Sequence, residues 1–254
     1  MKIALIQTNI VWENATQNRL VLEEKINTIT DEIDLIILPE MFTSGFTMHP
    51  ELVAEATNGS TISWLTNIAK AKNCAITGSL VITENGNFYN RMVFIFPNGE
   101  MEYYDKKHLF ALAGEDKIYT SGNKKVVVKY NDWKICLQVC YDLRFPVFSR
   151  NTENYDLLIY VASWPKIRTN AWDILLKARA VENLSYVIGV NRVGTDNNNL
   201  EYIGHSQIID ELGSFIIEPT ENEGVFIAVL DRNKMLETRN KLNFLNDKDA
   251  FNLV

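Results

Sequence analysis

The sequence predicts a layered α/β domain with mixed sheets. Short apolar, β-branched runs alternate with helix-spaced segments over most of the chain, and several runs are joined by tight turns instead of helices. No repeat of fixed period, low-complexity tract or Pro/Gly/Ser linker divides the 254 residues, so residues 1–254 read as a single domain. Hydrophobic residues make up 46% of the chain, enough for a substantial core.

Taken in order, residues 1–7 form an opening strand, and residues 14–31 carry Leu20, Leu22, Ile26 and Ile29 at helical spacing. Residues 33–40 are an apolar run stopped by Pro39, with the carboxylate of Glu40 behind it. Buried central strands look like this, and their C-terminal ends are where α/β proteins place ligands. By itself Glu40 would be a loop carboxylate. Ser60 or Thr61 is the expected cap of a helix running to Lys72. Strands follow at 74–82, 88–96 and 100–104, with Asn-Gly turns between them, and another at 126–130.

The stretch Trp133-Lys134-Ile135-Cys136-Leu137-Gln138-Val139-Cys140 reads as a buried strand, and Pro146 opens a helix over 147–154. A thiol at that strand end has turn N–H groups near it and a helix end that favours thiolate. The alternative is that Cys140 is a small buried hydrophobe, as most free cysteines are. Strands at 156–161 and 186–190 flank a helix over 169–183 that presents Trp172, Leu175, Leu176 and Ala180 on one side. Strands at 206–210, 214–217 and 225–230 and a helix over 231–240 complete the fold, and residues 241–254 form a tail suited to docking on a partner subunit. If the apolar strands ending at Glu40, Cys140, Ser163-Trp164 and Asn191 are parallel neighbours, those ends share one rim.

The net charge of −7, without a basic block, argues against nucleic acid or an anionic membrane as partner. The N-terminal run is too short for a signal peptide, and no apolar run approaches membrane-spanning length. Three cysteines, an odd number, fit free thiols in a reducing compartment. A cytoplasmic protein is expected.

Three ordered segments then resemble those of a known family. Leu38-Pro39-Glu40-Met41-Phe42, Tyr104-Asp105-Lys106-Lys107-His108-Leu109-Phe110 and Val139-Cys140-Tyr141-Asp142-Leu143-Arg144-Phe145-Pro146 resemble the signature segments of the nitrilase (carbon–nitrogen hydrolase) superfamily. Met41-Phe42-Thr43-Ser44-Gly45-Phe46, Ser163-Trp164-Pro165 and Ala178-Arg179-Ala180-Val181-Glu182-Asn183 are similar to its ω-amidase branch. The resemblance implies a four-layer α-β-β-α sandwich that dimerises, acting on small ω-amides of α-keto dicarboxylic acids such as α-ketoglutaramate and α-ketosuccinamate. It implies Cys140 as nucleophile, Glu40 as general base, Lys106 as cationic stabiliser and Glu115 as the carboxylate beside that lysine. No cofactor or metal is expected, only substrate and water.

The chemistry agrees with those roles. An amide is a poor electrophile with a poor leaving group, so its hydrolysis needs a strong nucleophile and a proton relay. Lys106 and the N–H of Tyr141 would hold the oxyanion. Trp164 is expected as a pocket wall, or else an ordinary core aromatic. The far carboxylate of such a substrate needs a cation. Arg168 is favoured, Arg192 is a second candidate, and Arg144 is expected to pair with a neighbouring acid. A Cys–His hydrolase would draw on His49, His108 or His205 instead. A serine hydrolase lacks its G-x-S-x-G stretch, and a non-catalytic binding relative would not need Glu40, Lys106 and Cys140 together.

Overall fold

The computed structural model describes residues 1–252. In the first half, β1 (Lys2–Gln7), α1 (Ala15–Asn27), β2 (Leu35–Ile37), α2 (Pro50–Val53), α3 (Ser60–Lys72), β3 (Ala75–Glu84), β4 (Asn87–Ile95) and β5 (Met101–Asp105) follow one another. The second half supplies β6 (Val126–Tyr130), β7 (Trp133–Val139), α4 (Pro146–Ser149), β8 (Leu157–Ala162), α5 (Thr169–Asn183) and β9 (Tyr186–Asn191). A hairpin of β10 (Val193–Thr195) and β11 (Glu201–Ile203) precedes β12 (Gln207–Ile209), β13 (Phe215–Ile217), β14 (Gly224–Val229) and α6 (Arg232–Leu242).

Two six-stranded mixed sheets result, in the orders β14-β1-β2-β3-β4-β5 and β13-β12-β9-β8-β7-β6. Each has three parallel strands at its centre, β1-β2-β3 and β7-β8-β9, with antiparallel strands outside. The period-2 alternation of strand side chains sorts the core into layers. On β1, Ile3 and Leu5 face the other sheet and join Ile135, Leu137, Ile159 and Ile188 there. Ala4 and Ile6 face the opposite way, onto Leu22 and Ile26 of α1 and Leu65 of α3. On the second sheet Leu158, Tyr160 and Val187 pack under Trp172 and Leu176 of α5. Helix, sheet, sheet, helix is the four-layer sandwich expected from the sequence. At Gly189 a Cβ would stand 2.4 Å from Leu176 Cδ1 and 2.6 Å from Trp172 Cζ2, so the absence of a side chain lets α5 lie this close to β9.

Three local expectations fail. The helix expected over 147–154 stops at Ser149, because Asn151 binds the backbone of Tyr155 through both ends of its amide, its Oδ1 accepting from Tyr155 N at 2.8 Å and its Nδ2 donating to Tyr155 O at 2.9 Å. The run 33–40 is a strand only over Leu35–Ile37, and the chain then turns through Met41 at φ 45°. Neither Ser60 nor Thr61 caps α3. Gly59 stands at the cap, and Glu55 accepts the Thr61 N–H at 2.7 Å instead.

Candidate active site

The site forms where the C-terminal ends of β2 and of β7-β8-β9 come together from opposite sheets. Cys140, Ser163 and Asn191 stand at or just beyond the ends of three parallel neighbours, as the sequence suggests. Glu40 reaches them from the other sheet, and the Ser163 N–H donates to its Oε2 at 2.7 Å.

Glu40 is fully buried, and its Oε1 accepts from Lys106 Nζ at 3.0 Å and from Asn90 Nδ2 at 2.8 Å. Lys106, which follows β5 directly, also donates to both oxygens of Glu115, at 3.0 and 2.9 Å. Glu115 Oε2 accepts the Phe110 N–H at 2.6 Å as well. Burial works against the ammonium, but the charges of Glu115 and Glu40 outweigh it and hold the Lys106 pKa above its ordinary value. For Glu115 burial is the larger influence and raises the carboxyl pKa, Lys106 pulling it back.

Cys140 begins a tight 3-10 turn, Cys140–Arg144, at φ 46°, a left-handed conformation unusual for a side chain with a Cβ. The residue is half-buried and lines a cavity of about 280 Å³ together with Lys106 and Tyr141. Burial pushes its thiol well above the usual range, the Glu40 charge pushes it further, and Lys106 opposes both. The expectation that a helix end favours the thiolate is corrected here. Burial and the neighbouring Glu40 both favour the protonated sulfur, and Lys106 favours the thiolate.

Phe46, Met48, Phe110, Trp164 and Leu200 make the cavity largely apolar. Trp164 is a wall, as expected, and its indole N–H donates to Arg168 O at 2.8 Å, fixing the turn that carries Arg168. The Arg168 guanidinium lies 5.2 Å from the Phe110 ring centre. Arg144 corrects its expected role: among the described residues it has no acidic partner, and it lies 4.9 Å from the Trp164 ring centre on the cavity wall. Arg192 is turned away, buried, with its guanidinium on Asn9 and the carbonyls of Ile10 and Val193.

None of the three histidines lines the cavity. His49 pairs with Glu51, His108 with Asp142 and His205 with Asp173. Among the described residues no cluster of His, Cys, Asp or Glu side chains is arranged to hold a metal ion, and no helix is long and apolar enough to cross a membrane. Sequence reasoning missed Asn90 and the Ser163 N–H, both donors to Glu40. Asn90 sits in an ordinary strand and its value depends on which cross-strand and cross-sheet groups it meets.

Fold and site together define a carbon–nitrogen hydrolase. Residues 2–240 match the carbon–nitrogen hydrolase family, and the chain belongs to it. It is 40% identical over 254 residues to omega-amidase YafV of Escherichia coli K12, covering all of this chain and 98% of that one. It is 31% identical to a 2-oxoglutaramate amidase of Bacillus subtilis, covering 98% of each. The crystal structure of XC1258 from Xanthomonas campestris, a CN-hydrolase superfamily protein with an arsenic adduct in its active site, superposes with a TM-score of 0.98. It is 39% identical and covers all of this chain and 99% of that one. The resemblance to the ω-amidase branch is borne out by these relatives.

Proposed function

We propose that the protein hydrolyses the ω-amide of α-keto dicarboxylic acids, with α-ketoglutaramate and α-ketosuccinamate as the substrate class, and releases ammonia through a thioester on Cys140. The observation that carries this reading is the cavity itself. A thiol shares its floor with Lys106 of the buried Glu40–Lys106–Glu115 cluster, and two guanidinium groups that have no acidic partner among the described residues line its walls. The names of the relatives point to the same substrates.

In this mechanism Glu40 takes the thiol proton while Sγ bonds to the amide carbon. Lys106 Nζ and the N–H of Tyr141 receive the oxyanion. Glu40 returns the proton to the departing nitrogen, the C–N bond breaks and ammonia leaves a thioester. Water then gives a proton to Glu40 and attacks the same carbon, and collapse of the second intermediate frees the acid and restores the thiol. Glu115 keeps Lys106 charged throughout.

A desolvated substrate carboxylate needs a cation, and beside Lys106, which is held by Glu40 and Glu115, Arg168 and Arg144 line the cavity. Ammonia release from a panel of amides tests the assignment, with keto-acid ω-amides beside plain aliphatic amides. Arg168→Ala is expected to raise KM for α-ketoglutaramate while leaving uncharged amides nearly unaffected. Equal losses on both would remove Arg168 from the site, and better turnover of plain amides by the unaltered protein would replace the reading with a general aliphatic amidase.

The same reading takes residues 1–254 as one domain working in the cytoplasm as a homodimer, with the tail 241–254, whose last two residues lie outside the described ones, against the partner subunit. Phe244 and Phe251 of that segment are exposed, which suits such a role.

A further inference from the structure

We propose that Asp142 is a positioning residue that fixes Lys106 relative to Cys140, so that its loss slows attack by the thiol without weakening substrate binding. The proposal rests on the roles given above to Lys106 and Cys140.

Asp142 is fully buried and has no lysine or arginine partner among the described residues. A buried carboxylate is costly unless its lone pairs are filled. Here four donors fill them. Oδ2 accepts from Val139 N at 2.9 Å and from the Tyr104 hydroxyl at 2.7 Å. Oδ1 accepts from the His108 backbone N–H at 3.0 Å and lies 2.7 Å from His108 Nδ1.

The identity of those donors carries the inference. Val139 immediately precedes Cys140, whose φ of 46° is a left-handed conformation that a residue with a Cβ adopts only at a cost. Something must hold the chain in that turn. Tyr104 and His108 lie two residues before and two residues after Lys106, and the Tyr104 hydroxyl also accepts the Lys107 N–H at 3.0 Å. One carboxylate therefore grips the segment bearing the cation on both sides of it, and grips the strand end bearing the nucleophile as well. No hydrogen-bonded strand pair connects the two segments, because β5 and β7 belong to different sheets. The His108 ring completes the clamp by stacking on Phe145 at 3.7 Å, where the Cys140 turn ends.

Four proteins separate this role from a merely structural one: the unaltered chain, Asp142→Ala, Asp142→Asn and Tyr104→Phe. For each, kcat, KM, the folded fraction by near-ultraviolet circular dichroism, and the rate of Cys140 alkylation by iodoacetamide are measured. Asp142→Ala is expected to lower kcat about a hundredfold, the scale of a ~1 Å misplacement, with KM little changed. Asp142→Asn and Tyr104→Phe should lose less, because each leaves part of the clamp in place, and they carry the test if the alanine variant does not fold. Cys140 alkylation should slow in the same order. Wild-type kcat in the folded variants, a rise in KM alone, or a loss that vanishes on correction for folded fraction would overturn the proposal. Alkylation displaces iodide and breaks no C–N bond, so it separates two failures. Absence of amide turnover would sink the amidase reading, whereas unchanged alkylation in folded Asp142 variants would sink the positioning role.

Discussion

Cys140→Ala is expected to bring ammonia release below detection while the thermal unfolding midpoint stays close to that of the unaltered protein. The side chain is small and half-buried at a cavity floor, so its removal leaves little new void. What disappears is the one thiol that lines the cavity among the described residues. The other two thiols stand as controls. Burial pushes Cys74 up to about 11 and Cys136 up to about 12, and neither lines the cavity. Cys74→Ala and Cys136→Ala should keep their activity. Equal losses in all three variants, measured as kcat/KM on one amide, would show that Cys140 has no special place.

The second large effect is expected at the carboxylate. Glu40→Gln should lower kcat by about 10²–10⁴-fold, the usual worth of a positioned acid–base group, because both proton transfers run through one side chain. Glutamine fills the same volume, so the unfolding midpoint should fall modestly. Lys106→Met is the informative contrast. It removes the oxyanion charge and also strands Glu40 and Glu115 against one another in a buried site. Breaking a buried ion pair this way costs about 3–5 kcal/mol, so the lysine variant should lose stability as well as rate. Thermal unfolding beside ammonia release distinguishes the two patterns. If His49→Ala or His205→Ala, both outside the Asp142 clamp, proved as costly in kcat as Glu40→Gln, a Cys–His mechanism would take over.

Much of this was legible in the sequence, for identifiable reasons. Apolar runs ending in Glu40, Cys140 and Ser163 carry their own strand signal, and a reactive side chain at the end of such a run stands out from its surroundings. The partners that hold those side chains do not. Asn90 reaches Glu40 because β4 lies two strands from β2 in the same sheet, and Ser163 because the two sheets face each other. Neither relation is local. Arg144 was misjudged for the same reason, since its neighbour is the Trp164 ring from the next strand end and not an acid. The early end of α4 depends on the Asn151 side chain competing for backbone hydrogen bonds, which a count of apolar positions does not register.

The long return of β14 to pair with β1 has a bearing on how the protein is made. As the chain leaves the ribosome, β1 waits for a neighbour that is synthesised almost last. Glu40 belongs to that waiting sheet, while Cys140 belongs to the other. Until the two sheets meet, the sulfur stands apart from the carboxylate that relays its proton, and the paired proton transfers of amide hydrolysis cannot run. Reactivity becomes a property of the finished molecule, acquired in the step that seats one sheet on the other. The rate at which newly diluted chains regain ammonia release would then time that docking event.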